Sequence, residues 1–175
     1  MRAFGSKLRL NIPDNDISIE YYGSVGDIIL SDEVQSLIEH RQHAGVTRLQ
    51  HSINVSYYSF LLCRKLGLDS RAAARGGLLH DLFFYHFSDG DAPPGLHIFI
   101  HPRQALKNAE SLTALSPVEA EIIVKHMWPF CAFPKYRETH IVSLVDKYCA
   151  LCETADYAML YLLRKGRRML ALSEK

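Results

Sequence analysis

Histidine is frequent in this chain, and several histidines fall where they could act together. The sequence has 9 His among 175 residues. Histidine titrates near neutral pH and is the side chain that most often binds transition metals. The candidates are His51, the adjacent pair His80-Asp81, His101, His126 and Asp146. Metal binding and acid–base catalysis are therefore the two kinds of chemistry that these residue types allow.

Each of these residues also has a simple structural explanation when it is taken alone. A single histidine is more often a hydrogen-bonded core or surface residue than a metal ligand. Asp146 follows the largely apolar run 141–145, where a buried carboxylate is costly unless it is paired or binds a cation. Lys147 could supply such an ion pair. What favours a shared site is the order of the residues, His…His-Asp…His…His…Asp.

The elements that would position these residues are predicted to be helices. Thr47 is an N-cap candidate for a long helix that contains His51 and ends at Gly67. Asp69 caps a helix at 70–82, which brings His80-Asp81 to its end. The sequence Ser116-Pro117-Val118-Glu119 is a capping box that opens a helix ending at His126.

Four further helices are predicted, at 31–40, 102–112, 138–152 and 155–171. In the second of these, His101 is the expected N-cap and Pro102 the first helical residue. A long loop is expected at 83–100, and loops of that length usually have a functional role. Residues 1–30 are predicted to form a short irregular N-terminal arm, with a short strand at 17–22. The fold class is therefore all-α, with a single helical domain at 31–175 on which the arm packs.

Composition excludes several other classes of protein. A hydrophobic fraction of 48% rules out intrinsic disorder, and a net charge of +1 argues against binding to nucleic acid or membrane by bulk electrostatics. No apolar run is long enough for a membrane span, and none follows the basic N-terminus as in a signal peptide. The four cysteines are expected to be reduced thiols, and Cys149-x-x-Cys152 to be ordinary helix residues. We expect a cytoplasmic protein.

The ordered motifs resemble those of the HD superfamily of metal-dependent phosphohydrolases. The resemblance rests on His51 in Arg48-Leu49-Gln50-His51-Ser52, on His80-Asp81 in Gly77-Leu78-Leu79-His80-Asp81-Leu82 and on Asp146 in Val145-Asp146-Lys147. His101 in His101-Pro102-Arg103-Gln104-Ala105 and His126 in Val124-Lys125-His126 are similar to the two additional histidines of the dinuclear members. The resemblance covers residues 47–152, and it implies an HD-type helical bundle with the metal site in this core.

The resemblance implies a dinuclear metal centre. One divalent transition metal would be held by His51, His80, Asp81 and Asp146, and a second by His101 and His126, with Asp81 bridging. Imidazole-rich sites suit Fe, Mn, Co, Ni or Zn better than Mg or Ca, which prefer oxygen ligands. Two divalent cations against two aspartates would leave a net positive charge that attracts phosphate, and would lower the pKa of a bridging water so that hydroxide forms near neutral pH.

The resemblance makes Asp81 and His80 candidate catalytic residues, and Arg48 is a third candidate because of its position. Arg48, one turn before His51, could reach a substrate phosphate, or could simply be a helix-surface or ion-paired residue. Arg103 and Lys125 are further candidates for substrate binding because each neighbours an expected ligand.

Two histidines near the long loop leave alternatives open. Many HD enzymes carry a Lys, Glu or Asp shortly after the HD pair, where this chain has Leu82-Phe83-Phe84-Tyr85-His86. His86 or Asp91 could take that role in substrate binding, or His86 could be an exposed loop residue. His97 is a rival of His101 for the second metal if the two share a helix.

The function that follows is hydrolysis of a phosphoric ester or anhydride, with a nucleotide or another small phosphorylated molecule as substrate. Two alternatives remain, a di-iron oxygenase with the same ligands and a non-catalytic nucleotide-binding regulatory module. We expect no membrane partner and no specific nucleic-acid partner, since the basic cluster 164–168 is typical of a solvated helix end. A homodimer is compatible with the sequence. His40, His43 and His140 have no assigned role.

Overall fold

The fold is a helical bundle, as the sequence predicts. The computed structural model describes residues 16–42, 46–85 and 94–173, with the side chains of Arg164 and of residues 166–173 excepted. Within this part of the chain the elements are α1 (Asp16–Ile29), α2 (Asp32–Ser36), α3 (Arg48–Lys65), α4 (Ser70–Leu79), α5 (His97–Leu112), α6 (Pro117–Lys125) and α7 (Arg137–Ser173). The β structure in the same ranges is a single isolated bridge between Arg41 and Thr47. The all-α class is confirmed.

The predicted helix caps are present where the sequence places them. The Thr47 hydroxyl accepts a hydrogen bond from the Gln50 amide at 3.2 Å, and the Asp69 carboxylate accepts one from the Ala72 amide at 2.8 Å. Gly67 ends the first of these helices with a φ of +66°, a conformation that costs glycine little. The caps therefore set the starting points of α3 and α4.

Helix α4 occupies the centre of the bundle, where it packs against α1, α3, α6 and α7. Two adjacent glycines permit this close approach. A Cβ atom on Gly77 would lie 3.0 Å from the Ser56 Cα atom in α3, and one on Gly76 would lie 2.7 Å from an Ile122 side-chain carbon in α6. The Ser56 hydroxyl also donates to the Ala74 carbonyl at 2.7 Å. The end of α4, which carries His80-Asp81, is thereby held in the interior.

The predicted irregular arm is wrong for the part of it that the structure describes. Residues 16–29 form α1 instead of a loop with a strand at 17–22, and residues 1–15 lie outside the described ranges. Burial explains the difference, because Tyr21, Val25 and Ile28 are on one face of α1 and are at most 1% exposed. Packing of this face against the core compensates for the low helix propensity of the glycines in α1.

Two helix boundaries also differ from the predicted ones. The helix expected at 31–40 begins at its Ser31 cap but ends at Ser36. Helix α5 begins at His97 rather than at Pro102, so the last part of the predicted loop is helical and His101 is an interior residue instead of a cap. In the second turn Pro102 removes one main-chain hydrogen bond and crowds the carbonyl four residues earlier, a cost that the burial of Pro102 and its neighbours His101 and Ala105 offsets.

The two helices predicted at 138–152 and 155–171 are one continuous helix, α7. The residues between them, Glu153 and Thr154, contain no helix breaker, and Glu153 is fully buried against α3. Cys149 and Cys152 lie within this helix as free thiols, as predicted. Helix α6 begins at the predicted capping box of Ser116 and Glu119. No helix in the described part of the chain combines the length and apolar character needed to cross a membrane.

Candidate metal centre

Six residues predicted from the sequence converge inside the bundle. They are His51 on α3, His80 and Asp81 at the end of α4, His101 on α5, His126 at the end of α6 and Asp146 on α7. Their exposed fractions lie between 0% and 8%. Since 95 residues separate His51 from Asp146, only the tertiary fold brings these side chains together.

Three of the six form what we call the inner group, His51, His80 and Asp146. The Asp146 Oδ1 atom lies 3.0 Å from the His51 Nε2 atom and 3.6 Å from the His80 Nε2 atom. The ligand atoms of all three lie within 4.8 Å of one another. This spacing is small enough for one metal ion to contact all three.

The other three form the outer group, Asp81, His101 and His126. The Asp81 Oδ1 atom lies 3.4 Å from the His101 Nε2 atom and 3.7 Å from the His126 Nε2 atom. The second carboxylate oxygen, Oδ2, lies 3.5 Å from the His80 Nε2 atom of the inner group. The two oxygens of Asp81 therefore face the two groups, which is the placement a bridging ligand requires.

Hydrogen bonds orient all four imidazoles in the same way. The Nδ1 atom of His51 contacts the Glu153 Oε2 atom at 3.0 Å. The other three Nδ1 atoms contact main-chain carbonyls: His80 that of Gly77 (2.8 Å), His101 that of His97 (2.7 Å) and His126 that of Ile123 (2.8 Å). A carbonyl or carboxylate oxygen only accepts, so each Nδ1 is the donor. The Nε2 atoms are then available as ligands, and this is how metal-binding histidines are usually held.

The donor atoms fit a metal ion, and four of them lack another satisfactory partner. The His80 Nε2 and Asp81 Oδ1 atoms are buried without a hydrogen bond, which is costly for a polar atom. The Nε2 atoms of His101 and His126 face each other at 2.9 Å although both rings already donate through Nδ1. Two lone pairs would repel at that distance unless a cation lies between them. Four imidazoles and two carboxylates are a suitable donor set for a transition metal.

Electrostatics in the inner group favour bound positive charge. Burial alone would raise the pKa of Asp146, but the hydrogen bond with His51 and the nearby charge of His80 hold this pKa well below its ordinary value. Burial alone would lower the pKa of His51, but hydrogen bonds to Asp146 and Glu153 raise it to about 10. A proton shared with these carboxylates would be displaced when a metal binds.

The outer group combines an ionised carboxylate with neutral imidazoles. Burial lowers the pKa of His126 to about 3, with a contribution from the charge of His80, and burial also lowers the pKa of His101. The pKa of Asp81 is below its ordinary value because the histidines around it outweigh the effect of burial. Neutral imidazole is the form that binds a metal.

A supporting network around the centre could not be read from the motifs. The buried Glu153 carboxylate accepts from His51 and from the Asn54 amide, the latter at 3.2 Å. Gln42 donates to the Asp81 Oδ2 atom at 2.6 Å. Glu153 lies two helical turns after Asp146, a spacing that could have indicated a shared face. Gln42 lies between helices and carries no such signal.

Arg48 contacts the protein rather than the cavity. It is 4% exposed, donates to the Phe83 carbonyl and to the Gln42 Oε1 atom (3.1 Å), and its guanidinium lies 3.6 Å from the centre of the Phe83 ring. Through Gln42 it is linked to Asp81. These contacts are structural, but Arg48 is buried rather than on the helix surface, and none of these contacts is an ion pair. Its role in substrate binding stays a prediction.

The remaining substrate-binding candidates do not gather at the centre in the described part of the chain. Arg103 is exposed on α5, and the Lys125 ammonium contacts the Glu121 carboxylate (3.0 Å) and the Phe133 carbonyl (3.2 Å). Neither lines the cavity described next. His86 and Asp91 lie outside the described residues.

A cavity of about 330 Å³ opens onto the outer group. Its floor contains Asp81, His101, His126 and Asp146, and its walls include Gln42, His97, Met127, Phe130, Lys147 and Ala150. His97 stacks on His101, with ring centres 4.5 Å apart, and supports it through its carbonyl. Lys147 was not among the predicted binding residues because its orientation depends on contacts with the end of α6.

The fold and this centre define a helical domain that could hold metal ions in a buried His/Asp cage. The family model of the HD domain matches residues 48–151, which is more than half of the chain. The chain therefore belongs to the HD domain family, within the superfamily of metal-dependent phosphohydrolases that its motifs resemble.

Comparison with curated proteins finds short matches to one enzyme. Ribonuclease Y of Clostridium perfringens is 47% identical over 45 residues, and Ribonuclease Y of Clostridium tetani is 44% identical over 45 residues. Each match covers 26% of this chain and 9% of the relative, so this chain corresponds to a small part of those proteins. No solved structure matched the chain.

Proposed function

We propose that the protein is a dinuclear metal-dependent phosphohydrolase that acts on a nucleotide or another small phosphate ester. The observation that carries the proposal is the convergence of four Nε2 atoms and two carboxylates in two adjacent groups, with the two oxygens of Asp81 facing one group each. The inner group would hold one ion and the outer group a second. Divalent ions there would supply Lewis-acid chemistry, lowering the pKa of water and stabilising charge on a phosphate.

The chain's own residues would prepare the site for this reaction. The Nδ1 hydrogen bonds fix the ring orientations, so that little reorganisation is needed when substrate binds. Lys147 is held by the His126 carbonyl (2.9 Å) and the Ser143 hydroxyl (2.9 Å) at the edge of the cavity, with its ammonium 4.0 Å from the Asp146 carboxylate. Its third hydrogen bond is to the Ser143 carbonyl at 3.2 Å, and by exchanging this bond it can donate to a phosphate oxygen. The apolar side chains of Met127 and Phe130 can contact the rest of a small substrate.

The size of the cavity supports a small substrate. A volume of about 330 Å³ is at the lower end of the range that ligand pockets occupy. The matches to Ribonuclease Y favour a second candidate, an RNA phosphodiester bond presented to the same centre. Both candidates place a phosphate oxygen at the outer group.

The test combines metal content with turnover. Purified protein loaded with Mn, Fe, Co, Ni or Zn should contain close to two ions per chain and should release product from a panel of nucleotides, sugar phosphates and short oligoribonucleotides. Asp81→Ala should lose both ions and activity, whereas the control Asp32→Ala, on the exposed surface of α2, should lose neither. A folded wild-type protein that binds no metal would refute the proposal.

Running the same panel without oxygen separates hydrolysis from oxygenase chemistry. Hydrolysis should continue unchanged under anaerobic conditions, because water is its only co-substrate. Loss of substrate that requires oxygen would contradict the phosphohydrolase assignment. The preferred member of the panel would decide between a mononucleotide and an RNA substrate.

A further inference from the structure

Helix α7 presents a stripe of large apolar side chains to solvent. Leu144, Leu151, Met159 and Leu162 are exposed by 56%, 67%, 60% and 63% respectively. With Tyr148 and Ala155 they occupy positions spaced by four, three, four, four and three residues, which lie along one side of a helix. This is the spacing by which one helix packs along another.

In its later part α7 is uncharged on every side, not only along the stripe. The seven consecutive residues 157–163 include no charged side chain, and each is exposed. Leu160, Leu162 and Leu163 are exposed by 43%, 63% and 56%. A helix that is apolar on every side is normally buried rather than surrounded by water. A monomer would leave this segment in an unfavourable environment.

We propose that α7 of a second copy of this chain covers the stripe, so that the protein is a symmetric dimer with antiparallel α7 helices. The order of the stripe fits this arrangement, since Leu144 would lie beside Leu162 of the second copy, and Leu151 beside Ala155. The same contacts recur on the other side of the two-fold axis, as a two-fold interface requires.

Charge supports the antiparallel direction. The sequence Arg164-Lys165-Gly166-Arg167-Arg168 follows the stripe directly. A parallel pair would place these two basic segments side by side, where like charges repel. An antiparallel pair places them at opposite ends of the interface, beside the first turn of α7, where Arg137 and Glu138 balance each other in charge.

The exposed area is sufficient for a stable interface. The exposed fractions of the large side chains on the stripe, Leu144, Tyr148, Leu151, Met159 and Leu162, amount to about three complete side chains. At the lower end of the area that a large side chain buries, that is roughly 450 Å² of apolar surface per copy. A standard stable interface buries about 800 Å² per partner, of which about 56–65% is apolar.

The first test is the mass of the full-length protein in solution. Light scattering coupled to size-exclusion chromatography, at about 1–100 μM chain, should give twice the chain mass of 19.9 kDa. Leu151→Glu and Leu162→Glu should each weaken association by about 100-fold or more, as expected for charge placed in an apolar interface. Leu30→Glu, at a residue 78% exposed outside α7, should leave the mass unchanged.

The possible outcomes separate this proposal from others. A wild-type protein that stays monomeric at the highest concentration would overturn it and would indicate a different occupant of the stripe. Dimers that survive both α7 substitutions, with helical content intact by circular dichroism, would overturn the assigned surface. Because the mass does not depend on metal or turnover, this result is independent of the proposed phosphohydrolase activity.

Oxidative cross-linking tests the direction of the helices. A mixture of the Leu144→Cys and Leu162→Cys proteins should form a covalent heterodimer several times faster than either protein alone. The native cysteines provide a background that the wild-type protein measures. Rapid cross-linking of the Leu144→Cys protein to itself would instead indicate parallel helices and would overturn the antiparallel arrangement.

Discussion

The hydrogen bonds of Glu153 make a strong prediction about metal affinity. Its carboxylate is 0% exposed and accepts from two donors, the His51 Nδ1 atom at 3.0 Å and the Asn54 amide at 3.2 Å. Glu153→Gln preserves the shape but replaces one acceptor oxygen with an NH₂ donor. Whichever way the new amide is turned, one of the two neighbouring donors then faces another donor.

Rotation of Asn54 would not resolve this conflict without a further loss. The Asn54 Oδ1 atom accepts from the Gln50 side chain at 3.0 Å, and turning the amide of Asn54 would break that bond. A buried hydrogen bond lost in this way costs about 1–3 kcal/mol. Residues that orient metal-binding histidines typically change metal affinity by about 10–100-fold when they are replaced, which corresponds to about 1.4–2.8 kcal/mol.

The assay is competition between the protein and a chromogenic chelator for Zn²⁺ or Mn²⁺, with thermal unfolding measured on the same samples. Glu153→Gln should bind metal about 10–100-fold more weakly, and its thermal stability should gain less from added metal. Glu138→Gln is a matched control on α7, since Glu138 accepts from the Asp69 amide at 3.0 Å and is not one of the six residues of the centre. If Glu153→Gln bound metal like the wild-type protein, the argument that Glu153 orients His51 would be refuted.

Two further predictions concern stability. Gly77→Ala should destabilise the protein by about 1–2 kcal/mol in urea unfolding, because its Cβ atom would meet the Ser56 backbone at 3.0 Å. The control Gly23→Ala, whose Cβ atom meets nothing within 4 Å, should be neutral or stabilising. If Gly23→Ala were the more destabilising of the two, the packing argument would be contradicted. The protein should also lose stability as pH rises from about 9 towards 12, because burial raises the pKa of the Cys63 thiol to about 12 from an ordinary 9.0. The folded state then retains a proton that the unfolded state releases, so the free energy of unfolding falls as pH rises. The melting temperature should fall over this range, and it should fall less steeply in Cys63→Ala. A melting temperature that does not change with pH would refute the raised pKa of Cys63.

The starts of α3, α4 and α6 could be predicted because they depend on local chemistry. Thr47, Asp69 and Ser116 each accept a hydrogen bond from an amide three residues later, and such contacts are encoded in a few consecutive residues. Helix α1 was missed because Gly23 and Gly26 obscure its periodicity. Its stability comes from burial against the rest of the bundle, which local sequence does not reveal.

The candidate centre shows the same division between local and tertiary information. Its six residues were predicted from their types and order along the chain, and the fold brings them together. Lys147 and Gln42 were not predicted as parts of the site, because their positions depend on the end of α6 and on the segment before α3. The start of α5 was placed too late because Pro102 was taken as a first helical residue, whereas the helix contains it.

The two groups of the centre differ in how an ion could leave them. The cavity reaches Asp81, His101, His126 and Asp146, whereas His51 and His80 are 0% exposed and do not line it. An ion in the outer group could exchange with the surroundings through the cavity. An ion in the inner group would reach the cavity only past Asp146, the one member of that group that lines it, so we expect it to exchange more slowly. The metal in the inner group would then depend more on the ions present while the chain folds, and the metal in the outer group more on the ions present afterwards.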